Sequence, residues 1–520
     1  MAILNNSNAI SSGGYDINNS LRFRSSATAY LSRTPAGAGN RQTWTWSGWV
    51  KKTPLASGVQ AMIAAGTTTV VYDDFCFEND QIRFVFNNGT YDVKTTQVFR
   101  DPSAWYHIVV AVDTTQATAS NRVKIYVNGS QVTAFATASY PAQNHNTNIN
   151  NNIITTVGAL YNGSYSSYFD GYMAEVNFVD GTALTPSSFG ETDTTTGSWK
   201  PKAYTGTYGT NGFYLKFSDI ATTSGSNAGL GKDFSGNANY FNTNNISVTA
   251  GVTYDAMIDS PTLTSATVAN YAVMNPLELG DGAPAALSNG NLTITGSASL
   301  FLRRATMNFP LTGKYYCEFT ITAVGSGVSI AYDSRGQNAA TQFIQYDNGG
   351  TKNVNGTTTS YGASFTTGDV IAMAVDADGG SIAFYKNNTS QGSITFSSAS
   401  MTGVNATSMV FAYTSAIVNA NFGQRPFTYT PPTGFVRLNT FNLPTPTILQ
   451  GNKYMDATLY TGTGTTQVIV NQAQFKPDLV WAKGRSNAVD HGLFDSNRGS
   501  TKLLSSNLTA AELTYTNQVT

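Results

Sequence analysis

Apolar and polar positions alternate with a period of two along most of the chain, the signature of half-buried strands. In TWTWSGWVKK, Trp44 and Trp46 fall on one face of a strand. Ile82, Phe84 and Phe86 alternate with Arg83 and Val85, and Asn88-Gly89 then leads to a second strand with Tyr91 and Val93. Val123, Ile125 and Val127 repeat the device before Asn128-Gly129. Asn-Gly between such runs predicts a hairpin, because both residues tolerate positive φ. WYHIVVAVD is almost continuously apolar, as expected of a central sandwich strand. Further on, Tyr315, Cys317, Phe319 and Ile321 alternate with Tyr316, Glu318 and Thr320, and two strands flank a turn at Asp376–Gly380. Helical periodicity is absent; LTAAEL near Ala510 is the one short helix expected.

The pattern divides the chain. Residues 1–20 are polar and read as a docking arm. A first sandwich is expected over 21–220, a connector with short strands over 221–285, and a second sandwich over 286–430. A Pro-rich link and a partial β-rich module follow over 431–520. The expected class is all-β: tandem antiparallel sandwiches followed by a β-rich C-terminal module. Neither a 20–50-residue repeat nor heptads are present, which argues against solenoids, propellers and coiled coils.

Composition narrows function. The 520 residues carry only 11% charged side chains and a net charge of −1, without the basic field of a nucleic-acid binder. No apolar run approaches the roughly 18 residues of a membrane helix. The start MAILNNSNAISSGG lacks the basic and apolar regions of a signal peptide, so synthesis in the cytosol is expected. Cys76 and Cys317 are too few for a disulfide framework and are expected as free, buried side chains.

Catalytic constellations are missing. His107 sits in a buried run, His145 in an Asn-rich loop and His491 in a turn, and no pair has zinc-ligand spacing. There is no GxSxG elbow, and SNAGLGKDF departs from a phosphate loop at Ser226 and Asp233. Paired carboxylates for glycoside hydrolysis would share a strand face, yet Glu175 has Asn177 and Val179 at the matching positions. No catalytic residue and no cofactor are expected. Calcium is the one ion the sequence leaves open, at Asp73 and Asp74 or at Asp376 with Asp378. Binding chemistry remains. YNGSYSSYFDG sets Tyr161, Tyr165, Tyr168 and Asp170 among Gly, Ser and Asn, an adaptable surface for sugar rings, with His145 as a further candidate contact.

SLRFRSSATAYLSRTP, WTWSGWVKK, WYHIVVAVD, VKIYVNGSQV and YFDGYMAEVNFVDGTAL, in that order, resemble a laminin G or pentraxin-like member of the concanavalin A-like lectin/glucanase folds. GKYYCEFTI, YDNGGTKNVNG, GDVIAMAVDADGGSIAFYKNN and VNANFGQRPF resemble a SPRY-type domain, mostly an interaction module. The order of these modules, with DFSGNANYF and DSPTLTSATVANYAVMNPL between them and PDLVWAKGRS…LFDSNRGSTKLLSSN after them, is similar to structural proteins of marine and cyanobacterial tailed phages. The last module resembles a longer β-domain in those relatives. Here it is expected to be cut short or completed by a neighbouring chain. The resemblance implies a virion protein of tail-fibre type that attaches to a host-surface glycan or protein. It would dock on other virion proteins through the 1–20 arm and form a homo-oligomer, with a trimer expected, without nucleic-acid or membrane contacts. An architectural capsid decoration, spike or tail adaptor is the alternative; a polysaccharide depolymerase would need the carboxylate pair that is missing.

Overall fold

A computed structural model describes residues 14–56, 58–222, 225–277, 285–296, 301–333, 343–395, 406–471 and 474–515. Among the described residues its helical segments are three-residue 3₁₀ turns, and its other regular elements are strands. The chain is all-β, with several antiparallel sheets.

The first sandwich has two eight-stranded sheets. One runs through Val123–Val127, Tyr106–Asp113, Thr43–Lys52, Gly171–Asp180 and Ser20–Phe23. The other runs through Tyr91–Val98, Gln81–Phe86, Val71–Glu78, Val59–Thr68, Ile154–Val157 and Tyr30–Arg33. Trp44 and Trp46 point into the space between them, against Phe84 and Phe178 and against Phe75. The hairpin after Val123–Val127 turns on Asn128 (φ 47°) and Gly129 (φ 83°), a two-residue turn with both φ positive. Gly129 is required twice, since a Cβ there would also meet the Trp199 ring at 2.4 Å.

The second sandwich packs Lys314–Ala323, Val370–Asp376, Ser381–Lys386 and Ile417–Asn421 in one sheet against Phe301–Phe309, Val328–Asp333, Phe343–Asp347 and Ala406–Ala412 in the other. Tyr315, Cys317, Phe319 and Ile321 enter its core. The opposite face of the same strand is covered too. Tyr316 packs against Phe427, and buried Glu318 accepts from Tyr316 Oη and from the amides of Thr428 and Tyr429.

The segment expected as a connector with short strands contributes both strands and core residues. Asn242–Asn244 and Ala256–Met257 pair with strands of the first sandwich. Tyr271, Val273 and Met274 lie in a core that also holds Trp49, Trp105 and Tyr172 of the first sandwich and Leu292 and Ile294 of the second. The two sandwiches are therefore one unit, reaching to Pro446. Buried polar groups fix its seam. Lys51 Nζ donates to Asp259 Oδ2 (2.8 Å), Asn270 Oδ1 (2.8 Å) and the Tyr271 carbonyl (2.9 Å), so all three ammonium protons are used. Arg22 and Arg24 pair with Asp255 at 3.1 and 2.8 Å. Burial pulls the Lys51 ammonium below its ordinary pKa and pushes the Asp259 carboxyl above its own, and each is held back by the other's charge.

The arm expected over 1–20 docks on its own chain where it is described: Ile17 is buried and Ser20 is paired with Met257. Residues 1–13 of that arm lie outside the described residues. A second unit comprises Thr194–Gly197 and Thr447–Thr520, with a four-stranded sheet over Leu479–Ala482, Gly492–Asp495, Gly499–Leu504 and Leu513–Thr514. The helix expected at LTAAEL is absent. One turn cannot sustain a helical nucleus, and Leu513 takes backbone pairing with Leu503 instead.

Replacing Lys51 by Met leaves Asp259 buried without its cation and is expected to cost about 3–5 kcal/mol in guanidinium unfolding. Lys51→Met combined with Asp259→Leu should recover part of that loss; an unchanged midpoint for the single variant would contradict this account of the seam.

Candidate functional site

The Tyr-rich segment folds back over the outer face of the second sheet of the first sandwich. Leu160–Tyr161 and Tyr165–Ser166 form a short hairpin over Val59–Thr68, and the Ser167 carbonyl accepts from the Ala61 amide. The approach is close because Gly66 has no side chain: a Cβ there would lie 2.3 Å from the Tyr161 carbonyl oxygen. The hairpin brings Tyr161 and Tyr165 to 4.7 Å between ring centroids. Tyr30, from the strand Tyr30–Arg33, lies 4.3 Å from Tyr165 and 6.1 Å from Tyr168. Four phenol rings thus meet, with Tyr161, Tyr165 and Tyr168 half-buried and Tyr30 buried beside them. Tyr30 was not evident from sequence; only the pairing of its strand with Ile154–Val157 places it there. Burial raises the pKa of Tyr30 and Tyr168, and Tyr168 Oη donates to the Tyr165 carbonyl at 3.3 Å.

The other expected contacts lie elsewhere. Asp170 is buried in the seam, where it accepts from Ser25 Oγ (2.7 Å) and from the amides of Asn289 (3.1 Å) and Gly290. His145, the further candidate contact in the Asn-rich loop, is half-buried with its ring edge-on to Tyr91. Asp73 and Asp74 are adjacent on one strand and so point to opposite faces. Asp73 accepts from the amides of Asn87, Asn148 and Ile149 and from the Asn148 side chain. Asp74 is buried on the other face with Cys76, and burial raises its pKa to about 7. The Asp376 carboxylate binds Lys314 and the Gly379 amide, and Asp378 accepts from the Gly313 amide. Among the described residues no cluster of three or more His, Cys, Asp or Glu could hold a metal ion.

A second cluster lies on the outer face of the first sheet, where Ser47, His107, Glu175, Asn177 and Lys202 line a small cavity. Ser47 Oγ is 2.9 Å from His107 Nε2, which superficially suggests an activated nucleophile. The other ring nitrogen decides otherwise. Trp199 Nε1 donates to His107 Nδ1 at 2.9 Å, and an indole N–H can only donate. Burial lowers the His107 pKa to about 3, so the ring is neutral and carries its proton on Nε2. His107 therefore donates to Ser47 and cannot take its proton. Beside it, Glu175 occupies a left-handed position (φ 51°) in a bulge of Gly171–Asp180. Its carboxyl accepts from Tyr15 Oη (2.9 Å) and Tyr214 Oη (2.6 Å), and burial raises its pKa to about 7.

That shift has a definite sign. The folded state holds the Glu175 proton more tightly than the unfolded chain, whose value is near 4.5. Its contribution to stability is complete below pH 4.5, is lost as pH rises to about 7, and is flat above. Glu175→Gln removes a loss of about 3 kcal/mol, since one pKa unit corresponds to about 1.4 kcal/mol. Thermal melts of the variant should therefore fall less steeply with pH over that window than those of the wild type; parallel curves would refute the assignment.

Comparison with known proteins accords with the two sandwiches. Residues 25–188 match the concanavalin A-like lectin/glucanases superfamily in its laminin G form, residues 315–425 match the SPRY domain, and residues 450–520 match a domain of unknown function, DUF7483. No curated protein matches the chain. Among solved structures, the LG4-5 domains of the mouse laminin alpha1 chain are 10% identical, with 82% of this chain and 96% of that chain covered and a TM-score of 0.27. The SAP-like pentraxin of Limulus polyphemus is 13% identical, with 33% and 80% covered and a TM-score of 0.26. The SPRY domain of human HERC1 is 20% identical, with 27% and 91% covered and a TM-score of 0.23. The chain thus carries a laminin G-type, concanavalin A-like domain and a SPRY domain in tandem, two kinds of domain that typically serve as binding modules.

Proposed function

We propose that this protein is an attachment protein of a tailed-phage virion, of tail-fibre type, and that its laminin G-type domain meets a host-surface glycan at the tyrosine patch. The observation that carries the reading is the convergence of Tyr30, Tyr161, Tyr165 and Tyr168 on one outer sheet face. Phenol rings offer flat apolar faces for the C–H faces of a sugar and hydroxyls for its oxygens, with little rotamer entropy to lose. The neutral, weakly charged surface adds no long-range attraction to charged polymers. A patch this small gives modest affinity at one site. Several copies on one particle would raise it through effective concentration. The assignment to a phage particle rests on the order of the modules along the chain.

A glycan array probed with the full chain tests the binding. A defined glycan should be retained, and Tyr165→Ala should weaken it at least about tenfold, as truncating a central aromatic contact does. Val98→Ser, at another exposed position, should leave it unchanged. Absence of any glycan or host-cell binding by the wild-type chain, together with its location on the capsid wall in an imaged particle, would favour the architectural role instead.

A further inference from the structure

The seam of the first unit brings an amine, a carboxamide and a carboxyl together out of water. The side chains of Lys51 and Asp259 are fully buried, and Asn270 is buried beside them. Lys51 Nζ lies 2.8 Å from Asn270 Oδ1 and 2.8 Å from Asp259 Oδ2. The Asn270 carboxamide has only one workable orientation. A lysine ammonium only donates and the Ser103 carbonyl only accepts, so Oδ1 faces Lys51 while Nδ2 donates to Ser103 at 2.8 Å. The electrophilic Cγ of Asn270 is bonded to the oxygen that Lys51 touches. A small side-chain rotation therefore turns this hydrogen-bonded approach into attack on carbon. Asp259 is held from its other side. Its Oδ1 accepts from Trp105 Nε1 (3.2 Å) and from the Tyr271 amide (3.2 Å), which leaves Oδ2 to Lys51. The Tyr172 ring, with its centroid 5.5 Å from Lys51 Nζ, lines the site. Burial lowers the Lys51 pKa and raises that of Asp259, and so draws the pair towards a neutral amine and a carboxylic acid. A desolvated lysine amine is a competent nucleophile.

We propose that Lys51 and Asn270 condense into an intramolecular isopeptide bond, with Asp259 as the group that moves the protons. Asp259 takes one proton from the Lys51 ammonium. The freed lone pair on Nζ attacks Asn270 Cγ, and the carbonyl electron pair moves onto Oδ1. When that pair returns, the Cγ–Nδ2 bond breaks. Nδ2 receives a second proton from Nζ, relayed by Asp259, and leaves as ammonia. Nζ keeps its third proton as the N–H of the new amide, and Asp259 ends as a carboxylic acid. No oxidant, cofactor or second molecule enters. The reaction replaces two buried charges, which are costly out of water, by two neutral groups. Three groups held by the fold supply the proximity. Direct condensation of Lys51 with Asp259 is the poorer route: it would expel water from the carboxyl, and the other two partners of Nζ, Asn270 and the Tyr271 carbonyl, are not acids. The bond joins positions 219 apart in sequence. It ties the strand Thr43–Lys52 of the first sandwich to the segment that leads to the second. A cross-link closing so long a loop strongly restricts the unfolded chain.

Tandem mass spectrometry of the full chain, folded, then denatured and digested with trypsin, tests the proposal. The expected product is a branched peptide in which the segment holding Lys51 is joined to the segment holding Asn270. Its mass should be that of the two segments less one ammonia, and trypsin should no longer cut after Lys51. The bond is read on the wild-type chain, so the test does not depend on a variant folding. Asn270→Ala retains the Lys51–Asp259 pair and should give no branched peptide. In Asp259→Asn the branched peptide should form at least about 100-fold more slowly after synthesis, the usual contribution of a positioned acid–base group. Formation at the wild-type rate in that variant would overturn the role of Asp259. Recovery of the Lys51 and Asn270 segments from the wild-type chain as separate peptides overturns the proposal, whether Asn270 is intact or has lost ammonia alone as a cyclic imide. A branched peptide lighter by one water would place the bond on Asp259 and overturn the choice of Asn270. Each outcome is independent of glycan binding, since none involves the tyrosine patch.

Discussion

The buried contact between Lys51 and Asp259 is the constraint around which the first unit is organised. A lysine ammonium and a carboxylate have both left water, so every remaining hydrogen-bonding position has to be satisfied. Lys51 does this with Asp259, Asn270 and the Tyr271 carbonyl, and Asp259 also accepts from Trp105 Nε1 and the Tyr271 amide. These partners come from the first sandwich and from the segment that leads to the second. A pair of this kind adds little net stability, because desolvation offsets most of the Coulomb gain. Its effect is on geometry: the ions are compensated in one arrangement only of the first sandwich and the segment carrying Asp259, Asn270 and Tyr271. The continuous apolar core from Trp49 and Tyr172 to Leu292 and Ile294 supplies the stability that the ions do not.

That rigidity extends to the tyrosine patch. Asp170 directly follows the Tyr-rich hairpin, and its oxygens are used by Ser25, Asn289 and Gly290 in the seam. The patch is therefore anchored, a short distance along the chain, to the junction of the sandwiches. A surface held in this way loses little entropy on contact with a ligand. Close covering works against chemistry on the opposite sheet. Trp199 and Tyr214 lie over Ser47, His107 and Glu175, fix the histidine tautomer and bind the carboxyl. Residues that would look reactive on a bare sheet serve here as buried polar links.

Much of the architecture was legible in the sequence. The period-two alternation, the Asn-Gly turns and the scarcity of charge identified two antiparallel sandwiches without a helical body, because pleat and turn geometry are local properties. The Tyr-rich stretch was legible as a surface for the same reason. Residues 221–285 were legible as a connector with short strands but not as part of the packed unit. Their strands are two or three residues long and draw their hydrogen bonds from distant partners, such as Ala256–Met257 from Ser20–Leu21. No periodicity survives in elements so short.

The sequence alone determined the strand class, the tandem of modules and the lack of a catalytic or metal-binding spacing, since each depends on neighbours within a few residues. Tertiary structure alone decided that Tyr30 joins Tyr161, Tyr165 and Tyr168, that Asp170 belongs to the seam, and that His107 donates to Ser47 instead of accepting from it. Those outcomes depend on which strands become neighbours and which side chains lose water. Residues far apart in sequence decide both, 92 positions apart for His107 and Trp199 and more than a hundred for Tyr30 and Tyr165, and their encounter leaves no local trace in the chain.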